Sequence, residues 1–210
     1  MTIIQSASAQ TVKASADLAD GVNAFRAGDY INAWRVLQPI AASGDAKAQR
    51  YAGKILITAD LPDQIAGDER AGVAYLTRAA LAGDYAALVE LENLRLAGKE
   101  FAPTLDDMIA LETARAEAGD PVTAWRLSRR FETGEGVEPS EAERLKWLEV
   151  AAMAGEKWFP KASEAAFLLC EAHALGANDA RAAQNWCGKA ADSGHAGAAI
   201  LLRRLAKAQG

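Results

Sequence analysis

The sequence predicts an all-α chain built as an α/α solenoid of helix-turn-helix repeats. Five glycines, Gly44, Gly83, Gly119, Gly155 and Gly194, follow one another at steps of 39, 36, 36 and 39 residues. An Ala stands three residues before each (Ala41, Ala80, Ala116, Ala152, Ala191), and a large apolar residue stands eight before (Val36, Tyr75, Leu111, Trp147, Trp186). The chain is also rich in Ala and poor in β-branched residues, which favours helix. Self-similarity with a period near 36 residues is what stacked helical repeats produce, because each repeat buries its apolar face against the next.

Each period reads as helix A, a loop, helix B and a tight turn. At every junction the Gly suits the left-handed residue that closes a helix. Asp45, Asp84 and Asp120 then suit the cap of the next helix, and Pro121 suits a first turn. Helix A is expected near 15–27, 46–57, 84–97, 121–133 and 161–175. Helix B is expected near 30–42, 68–82, 105–118, 140–154 and 179–193. The loops between A and B are Ala27-Gly28-Asp29, Ala97-Gly98-Lys99, Thr133 to Ser140 and Leu175 to Asn178. Ser140 with Glu143 reads as a capping box. A last helix over 196–208 has no B partner and reads as a cap. Nine residues after the junction Gly, helix A carries the small Gly53 and Ser128, with Cys170 equivalent in the fifth repeat. Small residues there let helix B come close. Glu92 breaks that rule in the third repeat, and Arg203 fits a terminal helix with nothing behind it.

Two regions are expected: residues 1–14, and a single solenoid over 15–210 of about five repeats with its capping helix. The first region contains Ala7-Ser8-Ala9, an A-x-A pattern read by signal peptidase, preceded by Thr2, Ile3 and Ile4 without Lys or Arg. It reads as the tail of a signal peptide, with a disordered N-terminus as the alternative. Half of the 210 residues are apolar, 24% are charged, the net charge is −5 and the pI is about 5.2. An acidic chain of this kind lacks the basic stripe that nucleic acid needs. No apolar run approaches the ~18 residues of a membrane span.

The string from Leu127 to Gly155 resembles the Sel-one-like repeat (SLR), a relative of the tetratricopeptide repeat. Ser128, Phe131, Gly134, Gly136, Val137, Trp147, Ala151, Ala152 and Gly155 stand at the places of that pattern. Asn185 to Ala199 matches almost as well, and Ala74 to Ala87 is a fair match. The third copy departs most, with Glu112 and Arg115 at positions usually apolar. The resemblance implies a right-handed superhelix that organises protein complexes. It also implies export, since bacterial relatives often act from the periplasm, some as regulators of sensor kinases or envelope assembly.

Helix A lines the concave side in such superhelices. Gln49, Lys54, Glu90, Asn93, Arg126, Arg130 and Glu171 lie there, and the two Arg suggest a groove for a peptide bearing carboxylates. Trp158 and Phe159 lengthen a junction that is normally tight. They read either as an exposed aromatic anchor or as residues folded back over the helix ends. Cys170 and Cys187, the two cysteines of the chain, fall on facing helices of one repeat, where a disulfide is geometrically possible. The alternative is a pair of buried thiols. A metal site built from Cys170, His173 and Cys187 lacks a fourth ligand unless His195 reaches in, so neither metal nor cofactor is expected. No Ser begins an S-x-x-K motif, and H-E-x-x-H, P-loop and G-x-S-x-G are missing. The expected function is therefore a non-catalytic scaffold or adaptor for a protein or peptide partner in the periplasm or cell envelope. The rivals are a hydrolase of β-lactam or cell-wall substrates and a cytosolic adaptor.

Overall fold

The computed structural model describes residues 17–58, 61, 65, 67–175 and 179–208. The 1–14 segment, with its expected signal remnant, lies outside them. Eleven helices and no strand are present among the described residues. They are α1 (17–26), α2 (Tyr30–Ala42), α3 (Ala46–Ile57), α4 (Glu69–Leu81), α5 (Tyr85–Leu96), α6 (Leu105–Glu117), α7 (Pro121–Thr133), α8 (Glu141–Met153), α9 (Ala162–Leu175), α10 (Ala180–Asp192) and α11 (Ala196–Ala208). The chain divides within α6 into two compact units, Met1–Leu111 and Glu112–Gly210.

In the first unit the helix starts are set by acidic caps. Asp29, Asp45, Asp68 and Asp84 accept the backbone N–H groups of Asn32, Ala48, Ala71 and Ala87, satisfying donors that a helix start leaves open. The helix ends are set by left-handed glycines; Gly44 has φ 102° and Gly83 φ 98°, where a side chain would be strained. A reciprocal capping box that the sequence reading missed opens α6. Asp107 accepts from Thr104 N and Oγ1 (2.9 and 2.7 Å), while Asp107 N donates to Thr104 Oγ1 (3.1 Å). Two apolar clusters fill the unit. One gathers Val22, Leu37, Tyr51, Ile55, Leu56 and Ile65; the other gathers Leu76, Leu88, Leu91, Met108 and Leu111. Between them α3 and α4 touch backbone to backbone. A Cβ on Gly53 would stand 2.7 Å from the Gly72 carbonyl oxygen, and one on Gly72 would stand 2.9 Å from that of Gly53. The small residue foreseen at Gly53 thus has a second glycine facing it.

In the second unit Asp120, Ser140 and Asp179 cap α7, α8 and α10, and Pro121 occupies the first turn of α7. The capping box expected at Ser140 forms by half. Ser140 Oγ accepts from Glu143 N (3.3 Å), but Ser140 N donates to Phe131 O, and the Glu143 carboxylate pairs with Lys146. The loop after α7 brings Ser140 N back to a carbonyl in the last turn of α7, which takes the donor first. The core here is Ala-rich: Leu127, Trp147, Leu148, Leu169, Cys170 and Cys187 sit among Ala124, Ala151, Ala165, Ala166, Ala183 and Ala190. Small side chains at these positions let α7 and α8, then α9 and α10, pack closely. The final helix α11 rests on α10 and α9. Its Arg203 is exposed.

Candidate functional site

Arg50, Trp125 and Phe167, at equivalent places in their helices A, reach the start of the next repeat, each with different chemistry. In the first unit Arg50 Nε donates to Asp84 Oδ2 at 2.8 Å, while its guanidinium lies 4.5 Å from the Tyr51 ring centroid. Burial alone would pull the Arg50 pKa down; the Asp84 hydrogen bond and charge outweigh it and raise it. Burial would raise the Tyr51 phenol, but Arg50 and Arg26 hold it below its ordinary value. In the second unit the equivalent Trp125 packs on Phe159 (6.2 Å between centroids) with Lys161 4.8 Å from its ring centroid. Phe167, the next equivalent, stacks on His195 at 4.2 Å. His195 also accepts from Ala198 N through Nδ1 (3.3 Å), which fixes the start of α11.

The expected carboxylate-binding groove is only partly on a surface. In the first unit Gln49 is buried and donates through Nε2 to Ala41 O at 3.2 Å, so it ties α3 to the end of α2. Lys54 and Glu90 pair with each other at a shallow cleft lined by Ile57, Thr58, Leu76 and Leu94. Asn93 is exposed on α5. In the second unit the two arginines face inward. Glu112 has no exposed surface; its Oε1 meets Arg126 at 2.8 Å and its Oε2 meets Arg130 Nε at 2.8 Å. Arg130 is buried and also pairs with Glu135 at 3.1 Å. It is therefore a core ion pair and no part of a groove, because a buried carboxylate in its own fold holds the guanidinium. Arg126 keeps part of its surface, and Glu171 is half-buried on α9. The departure at Glu112 was visible in the sequence; its partners were not, since nothing in a repeat pattern says which arginine turns inward. Arg115 beside it pairs with Asp120.

No family model matches the chain, and no curated protein matches it in sequence. Among solved structures it is similar to a Sel1 repeat protein from Oxalobacter formigenes, at 20% identity and a TM-score of 0.50, over 88% of this chain and 75% of that one. It is also similar to a protective antigen of uropathogenic Escherichia coli displaying an SLR fold, at 20% identity and a TM-score of 0.56. That match covers 91% of this chain and 41% of the antigen, so the chain spans less than half of the antigen's length. The chain has the SLR fold.

Against the SLR pattern, the junction after Gly155 is the departure that reaches the surface. Trp158 N and Phe159 N both donate to Gly155 O (3.1 and 3.0 Å), and Ala162 N donates to Phe159 O. Phe159 turns inward onto Trp125 and is 6% exposed, whereas Trp158 remains 75% exposed. The expected aromatic pair is thus divided: Phe159 anchors the loop and Trp158 is presented by it. Phe159 is not a surface residue, because the Trp125 ring near the start of α7 offers it an apolar seat. Lys157 and Lys161, both exposed, flank the two indoles, with Lys157 Nζ 5.2 Å from the Trp158 ring centroid.

The two cysteines of the fifth repeat, both buried, lie on α9 and α10 with Cα atoms 4.9 Å apart and sulfurs at disulfide distance. His173 is half-buried one turn beyond Cys170. Among the described residues no three His, Cys, Asp or Glu side chains are gathered so as to hold a metal ion. Among the same residues no helix is long and apolar enough to cross a membrane.

Proposed function

We propose that the chain is a non-catalytic SLR scaffold that holds a protein or peptide partner in the bacterial periplasm or cell envelope, in a regulatory role. The observation that carries this reading is Trp158, an indole three-quarters exposed on a loop locked by Phe159. An aromatic held in place before binding loses little entropy on association, which is the usual property of an interface anchor. Lys157 and Lys161 beside it suit a partner with acidic side chains. Arg126, Lys54, Glu90, Asn93 and Glu171 supply the polar remainder of the helix A faces.

Export is supported by Ala7-Ser8-Ala9 and by the Cys170 and Cys187 geometry, since disulfides persist in oxidising compartments. The same helix A and helix B register in both units supports reading 15–210 as one array of five repeats and a capping helix.

The test is photocrosslinking in cells, with a photoreactive phenylalanine analogue at position 158 of the full chain and, as control, at the exposed Glu117. A discrete adduct with one envelope protein from position 158, and none from position 117, is the expected result. Adducts of the same pattern from both positions would refute the anchor. Sustained turnover of a reporter β-lactam by the purified chain would refute the non-catalytic reading.

A further inference from the structure

The last turn of α8 and the facing side of α10 border an open cleft of about 310 Å³, lined by Met153, Ala182, Asn185, Trp186 and Lys189. Met153 stands two residues before the junction Gly155 and is 67% exposed. Lys189 lies half-buried in the cleft. Its Nζ is 3.1 Å from Met153 Sδ and 5.7 Å from the Trp186 ring centroid. A thioether and an indole face are soft, weak partners for an ammonium group. Among the described residues no carboxylate pairs with Lys189. Several other cations meet acids: Arg50 meets Asp84, Lys54 meets Glu90, Arg144 meets Glu141 and Lys146 meets Glu143. In a chain of net charge −5, the ammonium group of a half-buried lysine, held against a thioether and an indole face, is complementary to an incoming carboxylate.

We propose that this cleft binds an acidic–apolar peptide segment of a partner protein. An Asp or Glu side chain of that segment pairs with Lys189 Nζ, and the neighbouring apolar side chain lies between Met153 and the Trp186 indole. The Asn185 amide faces the cleft as a donor and acceptor for the peptide backbone. Partial burial makes the pair stronger than one in open solvent, and the flexible Met153 adapts to the apolar side chain. The choice of a peptide rests on the scaffold reading; the cleft and its chemistry do not.

The full chain, labelled with [methyl-¹³C]methionine, tests this by NMR titration. Met153 reports from the cleft, and Met108, fully buried, is the internal control. The probe is an end-blocked peptide of alternating Glu and Leu, compared with its Gln and Leu counterpart. The expected result is a saturable Met153 shift with Met108 unmoved, and binding of the Gln peptide weaker by about tenfold or more. Lys189→Gln should abolish that preference and Lys189→Arg should keep it. The proposal is overturned by no Met153 shift at ~5 mM peptide, by equal binding of the two peptides, or by a preference that survives Lys189→Gln. A Met153 shift produced by anionic vesicles but not by the peptide assigns the cleft to a membrane and overturns it. A shift that grows with protein concentration alone assigns it to a second copy and does the same. Because the probe is synthetic, an empty cleft leaves the position 158 crosslink intact, and loss of that crosslink leaves the titration intact.

Discussion

At the scale of single residues, the sharpest test of packing is the glycine contact between α3 and α4. Gly53→Ala gains about 1 kcal/mol of helix propensity but drives a Cβ to 2.7 Å from a backbone carbonyl. Overpacking of that kind costs about 1–3 kcal/mol, so urea denaturation should show a net loss. Gly188→Ala, where a Cβ meets nothing within 4 Å, should instead stabilise the chain by up to about 1 kcal/mol. The second residue-scale prediction concerns Glu112. Glu112→Gln leaves Arg130 buried with much of its charge uncompensated, and breaking a buried pair from one side costs about 3–5 kcal/mol. Glu112→Leu combined with Arg130→Met should recover much of that loss, read by the same denaturation. The sequence marked Gly53 and Glu112 as noteworthy, because both occupy repeat positions with a stated preference. It could not mark Gly72 or the inward turn of Arg130, which depend on what lies across the helix pair.

At the scale of elements, helix ends were the most legible feature, because Gly and Asp act locally. The observed helices start and stop within about two residues of the expected limits, within the margin by which helix ends differ between definitions. The capping box at Ser140 was the exception, since a distant carbonyl on Phe131 competes for the same donor. Two capping and first-turn acids predict a pH response. Hydrogen bonds from Thr104 hold the Asp107 carboxyl below its usual range, and Arg144 does the same for Glu141. A lowered carboxylate pKa stabilises the fold above the unfolded value and loses that contribution as pH falls through the folded one. The urea midpoint should therefore stay level from about pH 7 to pH 5 and fall below about pH 4. Asp107→Asn and Glu141→Gln should make that acid limb shallower; an unchanged limb in the double variant would contradict it. The link between α9 and α10 gives a further test. Closing a loop over a separation of 17 residues stabilises by about 3 kcal/mol. A reducing agent should then lower the melting temperature of protein prepared under oxidising conditions by roughly 6–12 °C. An unchanged melt with two titratable thiols would mean the cysteines act as small core residues.

At the scale of the whole molecule, fold and function differ in legibility. The fold follows from a repeated pattern, so each copy corroborates the others, and five registered junctions leave little freedom. A binding surface follows from departures, and one sequence shows each departure once. Glu156 to Lys161 stood out as a lengthened junction, yet only packing on Trp125 decides that Phe159 goes in and Trp158 stays out. The cleft of Met153, Trp186 and Lys189 escaped notice because it joins residues 36 apart that look unremarkable on their own helices. The central claim is that this SLR chain works by holding a protein partner through Trp158. Affinity capture from a native envelope extract tests it most directly, with wild type and Trp158→Ala compared by quantitative mass spectrometry. Trp158 is exposed, so the variant should melt as wild type does. The account predicts one stoichiometric envelope protein on the wild type, reduced about tenfold or more on Trp158→Ala, as loss of an anchor worth ~2 kcal/mol or more requires. Identical profiles from the two proteins, or an empty capture repeated with crosslinker, would contradict it.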